Sequence, residues 1–382
     1  MWRRRGWLGM AVVAVALAAS GCGVGERGSR PAAGEGWRRL ATSPLSPRTG
    51  HSAVWTGGEV LIWGGGPPGG RAVADGAAYD PATDRWWRLP RAPLTGRSYH
   101  AAVWTGTEML VWGGFQIGRG GRFGAARADG AAYRPATRSW RPIPRAPLGG
   151  DTALWSGTEL LVFGRAGGGA GARLGAAAWD PRGGSWRRLA TSPLPAGNEF
   201  SVVLADGTLA AFTYIDNERA CHGGLYDLAA GTWRALGACP LLPIMYPQPI
   251  WTGSEIVLLS AGSEWFDGGN NEWGERVYTN GIYDPASDHW RRPAARSDSP
   301  QSGGGQAVWT GREVLMWSLG GGVAYDPAAD RWRRMADAPF TREGASSVWT
   351  GTELLLWGGS TSQDCYDGCP RADGLAYRPG LS

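Results

Sequence analysis

One mark, repeated seven times, constrains this chain more than anything else in it. An aromatic residue precedes Asp-Pro or a relative of it, at Tyr79, Tyr133, Trp179, Tyr226, Tyr283, Tyr325 and Tyr377. A tryptophan stands seven residues after each of the first six, at Trp86, Trp140, Trp186, Trp233, Trp290 and Trp332. Upstream of each aromatic lies an apolar run broken by Trp-Thr-Gly or a variant, as in HSAVWTGGEVLIWGG (51–65) and SSVWTGTELLLWGG (346–359). Alternating β-formers around a Thr-Gly turn predict a hairpin. Asp-Pro predicts a tight connection to one further strand. The unit is therefore four strands, a to d. Units this short cannot bury a core alone and must stack on one another. Its 63 Gly and 26 Pro suit many turns and few helices.

The seventh tryptophan cannot follow Tyr377, which lies five residues from the C-terminus. It stands at the other end. Trp37-Arg38-Arg39-Leu40 matches Trp186-Arg187-Arg188-Leu189, and Trp37 precedes Trp55 by 18 residues, the interval also found from Trp86 to Trp104. The expected last sheet takes strands a to c from the C-terminus and d from the N-terminus, closing a ring and removing the open edges of a linear array. The Gly-Gly after strand b, the Tyr on c and the Trp on d resemble kelch repeats over residues 37–379. That resemblance implies an all-β, seven-bladed propeller related in fold to the galactose oxidase propeller domain. The fourth unit departs most, with Ala205-Asp206-Gly207 in place of Trp-Thr-Gly.

The N-terminus has the form of an export signal. Arg3, Arg4 and Arg5 precede an apolar run of 12 residues from Leu8 to Ala19. A bilayer-spanning helix needs about 20, so residues 1–22 read as a signal peptide. Ala19-Ser20-Gly21-Cys22 resembles a bacterial lipobox, which implies lipidation of Cys22 and an anchor on the outer face of the cell membrane; the alternative is plain secretion. Residues 23–36 lack apolar periodicity and read as a flexible tether spanning about 20 Å root-mean-square. The propeller is expected over 37–382 as a monomer. All 38 basic residues are Arg, and loss of the leader lowers the formal net charge from +5 to +2. Scattered charge of this size excludes a nucleic-acid footprint.

Loop lengths locate the expected working face. The c–d interval is constant, whereas the distance from the hairpin Trp to the strand c aromatic runs from 16 residues (Trp309 to Tyr325) to 32 (Trp251 to Tyr283). The variation falls in the b–c connections, and variable loops on a rigid scaffold commonly bind ligands. The fifth loop places Trp265 and Trp273 among carboxylates and amides, which suits a sugar; packing of those rings within the loop is the other reading. A second candidate is the lead-in to strand a: Arg48, His51, Arg97, His100, Asp151, Glu199 and Arg342 would line a polar funnel, with the arginines suited to carboxylate or phosphate. Arg-x-x-His there is also common in kelch repeats, which implies a structural role. Cys221, Cys239, Cys365 and Cys369 are expected as two local disulfides, Cys221 with Cys239 and Cys365 with Cys369.

Related propellers include copper-radical oxidases and proteins acting on sialic acid, so the resemblance leaves an enzyme with a funnel site open. The four histidines, His51, His100, His222 and His289, do not complete a copper ligand set. No catalytic residue, metal or cofactor is expected, and the leading reading is a binding module for a carbohydrate or protein partner.

Overall fold

The computed structural model describes residues 34–67, 69–167, 172–195, 199–215, 220–237, 248–259, 280–294, 306–318, 321–340, 342–361 and 369–380. They form a seven-bladed β-propeller of antiparallel four-stranded sheets. The first blade shows the pattern: strand a (Ser52–Trp55), b (Val60–Trp63), c (Gly76–Asp80) and d (Arg85–Arg88). Strands alternate in direction. All a–b and c–d turns therefore lie on one side of the ring, the turn face, and all b–c and d–a connections on the other, the loop face.

The recurring aromatic and its tryptophan are cross-strand partners on c and d, as in Tyr79 with Trp86 and Tyr325 with Trp332. Trp37 pairs with Tyr377 in the same way, so the N-terminal strand Gly36–Arg39 completes the seventh blade. Glu35, just ahead of this strand, also belongs to the seventh blade's contacts. Glu35 accepts from the Tyr377 hydroxyl. This is the place Asp84 and Asp330 take beneath Tyr79 and Tyr325, at 2.6 Å in both cases.

The core is seven apolar clusters among the described residues, one at each joint between neighbouring blades. Two polar staples cross these joints. Six of the seven strand d indoles donate to a carbonyl of the preceding blade, from Trp86 to Ala41 at 3.0 Å and from Trp37 to Ala336 at 2.8 Å, for example. Trp290 is the exception, with a buried, unpaired Nε1. In five blades the arginine after the indole grips the glutamate that opens strand b of its own blade, as in Arg141–Glu108 and Arg333–Glu313, both 2.6 Å, whereas in the fourth, which has Thr208 there, Arg234 reaches Asp288 of the next blade at 2.9 Å. Arg38 and Arg291 also reach a tyrosine hydroxyl of the next blade. In the first blade Trp87 replaces the arginine, and burial raises the pKa of the unpaired Glu59 carboxyl. These staples were readable in the repeat but escaped the sequence reading.

The fourth blade keeps its hairpin despite the lost Trp-Thr-Gly. Asp206 and Gly207 both adopt positive φ (44° and 80°), which suits a two-residue turn. Cys221 lies within strand c of that blade (Ala220–Asp227).

Candidate functional site

The loop face is built around the lead-ins to strand a. In blades 1, 2 and 7 an arginine stands there, and an aspartate stands just before strand c. Arg48 binds Asp75 through two nitrogens (2.8 and 3.3 Å) and the carbonyl of Gly64 at 3.1 Å. Arg97 repeats this with Asp129 (2.7 Å) and Gly113, and Arg342 with Asp373 (2.6 Å) and Gly358. Arg48 and Arg97 are 0% exposed. These guanidiniums tie the d–a segment to the b–c loop of the same blade. They do not present an open anion funnel, because they are buried and their terminal nitrogens are already committed. In blade 3 the two positions are Leu148 and Gly175, so the charged pair is missing there.

His51 and His100 are also committed. Each imidazole slides over the Gly-Gly backbone of the preceding blade. A Cβ on Gly358 would lie 2.6 Å from His51, and one on Gly64 2.6 Å from His100. His51 Nε2 meets Ser346 Oγ at 2.8 Å and the Trp357 carbonyl at 3.1 Å, so this nitrogen carries the proton. His100 Nε2 meets Ser52 Oγ at 2.8 Å. Burial, reinforced by the adjacent arginine, pushes both pKa values down to about 3. Both rings are therefore neutral hydrogen-bonding wedges.

This has a consequence in acid. A folded-state pKa below the unfolded value means that the unfolded chain binds more protons between pH 3 and 6.5, so stability present above pH 6.5 is lost as pH falls. His100 alone should account for about 2 kcal/mol of lost stability between about pH 7 and pH 5. Denaturant melts at the two pH values should show this loss reduced by that amount in a His100→Gln variant. An equal loss in both proteins would refute it.

The remaining sequence candidates fall elsewhere. Asp151 occupies the place of His51 in the third blade but is exposed, and partial desolvation raises its pKa. Glu199 begins strand a of blade 4 (Glu199–Ala205), and its side chain lies outside the described residues. Trp265, Trp273, Cys22, Cys239 and Cys365 also lie outside them.

The sequence reading missed an aromatic cluster on the second blade. A small hairpin, Phe115–Ile117 with Phe123–Ala126, rises from its b–c loop. The Phe123 ring lies 5.6 Å from Phe115 and 5.7 Å from Tyr99. Tyr99 is 48% and Phe123 59% exposed, the large apolar side chains most open to solvent among the described residues. Two hydrogen bonds between Ser98 and Phe115, both 2.9 Å, fix the hairpin beside Tyr99. Tyr99 has a φ of +55°, a region a bulky L-residue rarely occupies. The matching positions in blades 1 and 7 are Gly50 and Gly344, both at +64°. The backbone there calls for glycine, and of these three blades the second sets a large ring on it. A tyrosine where the repeat prefers glycine was the available signal.

No protein-family model matches this sequence, and no curated protein does. The solved structure of YjhT is similar in fold, with a TM-score of 0.50 at 14% identity over 88% of this chain and 95% of that one.

Proposed function

We propose that this protein is an exported kelch-type propeller, held at the outer face of a membrane by a lipid on Cys22. We further propose that it works as a monomeric binding module whose loop face engages a carbohydrate or protein partner. The observation that carries this reading is the exposed Tyr99–Phe123 pair on that face. Solvent-facing rings set on a rigid scaffold are typical of recognition surfaces. Two disulfides, Cys221–Cys239 and Cys365–Cys369, would pin loops of the same face. Cys221 and Cys369 both have partners, and Cys369 pairs through its backbone with Thr361 of strand b.

The path of the chain supports this display. Gly36 lies opposite Arg378, at the turn-face end of the closing blade. A tether from Cys22 therefore joins the propeller on the turn face, which leaves the loop face pointing away from the membrane.

The chain contains no lysine, so single lysines report on each face. On intact cells, a bulky amine-reactive polymer should modify Arg122→Lys on the loop face faster than Thr107→Lys on the turn face. Modification of the first variant alone should abolish capture on a glycan array. Equal labelling would refute the orientation. Capture that persists after the Arg122→Lys variant has been modified would refute the binding face. Release of Cys22→Ala into the soluble fraction tests the anchor separately.

A further inference from the structure

Resting on the binding-module reading, we infer that the cluster around Tyr99 is a platform for an acidic polysaccharide, with Tyr99 and Phe123 under the sugar rings and Arg71, Arg122 and Arg127 on its anionic groups. The charge of this region is one-sided. Residues 64–75 and 113–129, the b–c segments of blades 1 and 2, contain two acids, Asp75 and Asp129. Both are taken by the buried Arg48 and Arg97. Arg71 and Arg122 are exposed, with no ion pair among the described residues. Arg127 donates to Gln116 at 2.7 Å, a neutral partner, while its field is only partly met by Asp129, which is already held by Arg97.

These groups form one surface. Gly120 of the hairpin donates to Gly69 of the neighbouring loop at 3.3 Å, which joins the segment carrying Arg122 to the one carrying Arg71. The Tyr99 amide donates to Gly50 at 2.8 Å, and the phenol ring runs along that glycine. Arginine presents a planar fork suited to carboxylate or sulfate. The rings offer apolar faces beside it.

The platform is open, with both rings largely in solvent. Small molecules are normally held in concave sites that cover most of their surface. An open platform gains affinity from many shallow contacts along an extended chain. A nucleic acid would need a larger footprint, because its binding neutralises many phosphates at once. The body carries a formal net charge of only +2 after the leader.

The backbone at Tyr99 strengthens the assignment. Strained positions persist where function requires the side chain, and two sister blades relieve the same strain with glycine. Tyr99→Gly thus restores the pattern of blades 1 and 7 while removing the ring. The variant should fold with an undiminished melting temperature, which makes it a clean probe.

The test uses the full chain with Cys22→Ala, titrated with polygalacturonate, dextran, polyglutamate and single-stranded DNA. Polygalacturonate should bind and weaken about tenfold on raising salt from low to physiological strength. Tyr99→Gly or Phe123→Ser should weaken it about fivefold without loss of melting temperature. The pair Arg71→Gln and Arg122→Gln should remove most of the salt dependence, leaving the share of Arg127. Equal affinity for dextran would remove the arginines from the site. Equal affinity for polyglutamate or DNA would remove the sugar rings, and an unchanged Tyr99→Gly would remove the platform. Binding of a neutral glycan on the loop face would overturn this inference while leaving the binding-module reading intact. No capture of any glycan or protein would overturn that reading itself.

Discussion

Replacing Trp37 with alanine should cost about 3 kcal/mol of stability and loosen the N-terminal strand specifically. Its ring lies 4.9 Å from both Trp317 and Tyr377, and its indole nitrogen bonds the blade 6 carbonyl of Ala336. The same substitution at Trp86 removes similar contacts, but its strand is held in chain on both sides. At Trp37 the strand is tied in chain to another blade on one side only, with Arg39 leading on to blade 1. Losing the ring weakens the joint with blade 6 and frees the edge of strand c, Gly374–Arg378. Glu35, 0% exposed and bound to Tyr377 and Arg333, should fail with it. Limited proteolysis should cut Trp37→Ala first near residues 34–40 and Trp86→Ala elsewhere. Identical first cuts would show that the closing strand has no special role.

The second large effect is expected at Arg97. Its buried guanidinium serves the Asp129 carboxylate and the carbonyls of Gly113 and Asp129. Arg97→Ala leaves that carboxylate and those carbonyls without their donor, and breaking one side of a buried pair costs about 3–5 kcal/mol. The third blade does without the pair, with Leu148 and Gly175 at the matching positions. The double variant Arg97→Leu, Asp129→Leu should therefore recover most of the loss, since replacing a buried ion pair by packed apolar residues is often neutral. A double-mutant cycle from denaturant melts measures the coupling. Additive losses would mean that Arg97 acts through packing and not through Asp129.

Much of the fold was legible because each blade repeats the same local chemistry. Tyr and Trp seven residues apart are cross-strand neighbours across a tight turn, and turn length sets that register. Trp37 was readable as the closing strand by the same arithmetic. The Arg-x-x-His lead-in was legible as a motif, and the kelch resemblance implied its structural role, but its partners were not legible. A buried arginine and an exposed one are the same letter. The choice depends on Asp75, Asp129 and Asp373, which lie about thirty residues on and meet the arginine only after strand b has turned back.

By itself, then, the sequence determined the number of blades, the pairing within each and the point of closure. These rest on short-range turns and on a period that the chain carries in every unit. Only the tertiary structure decided which charged and aromatic residues are spent on holding the ring and which are left to solvent. It buried Arg48, Arg97 and His100, wedged His51 against the seventh blade, and left Tyr99 and Phe123 on the surface, because burial is settled by neighbouring strands and blades and not by a residue's own neighbours in the chain.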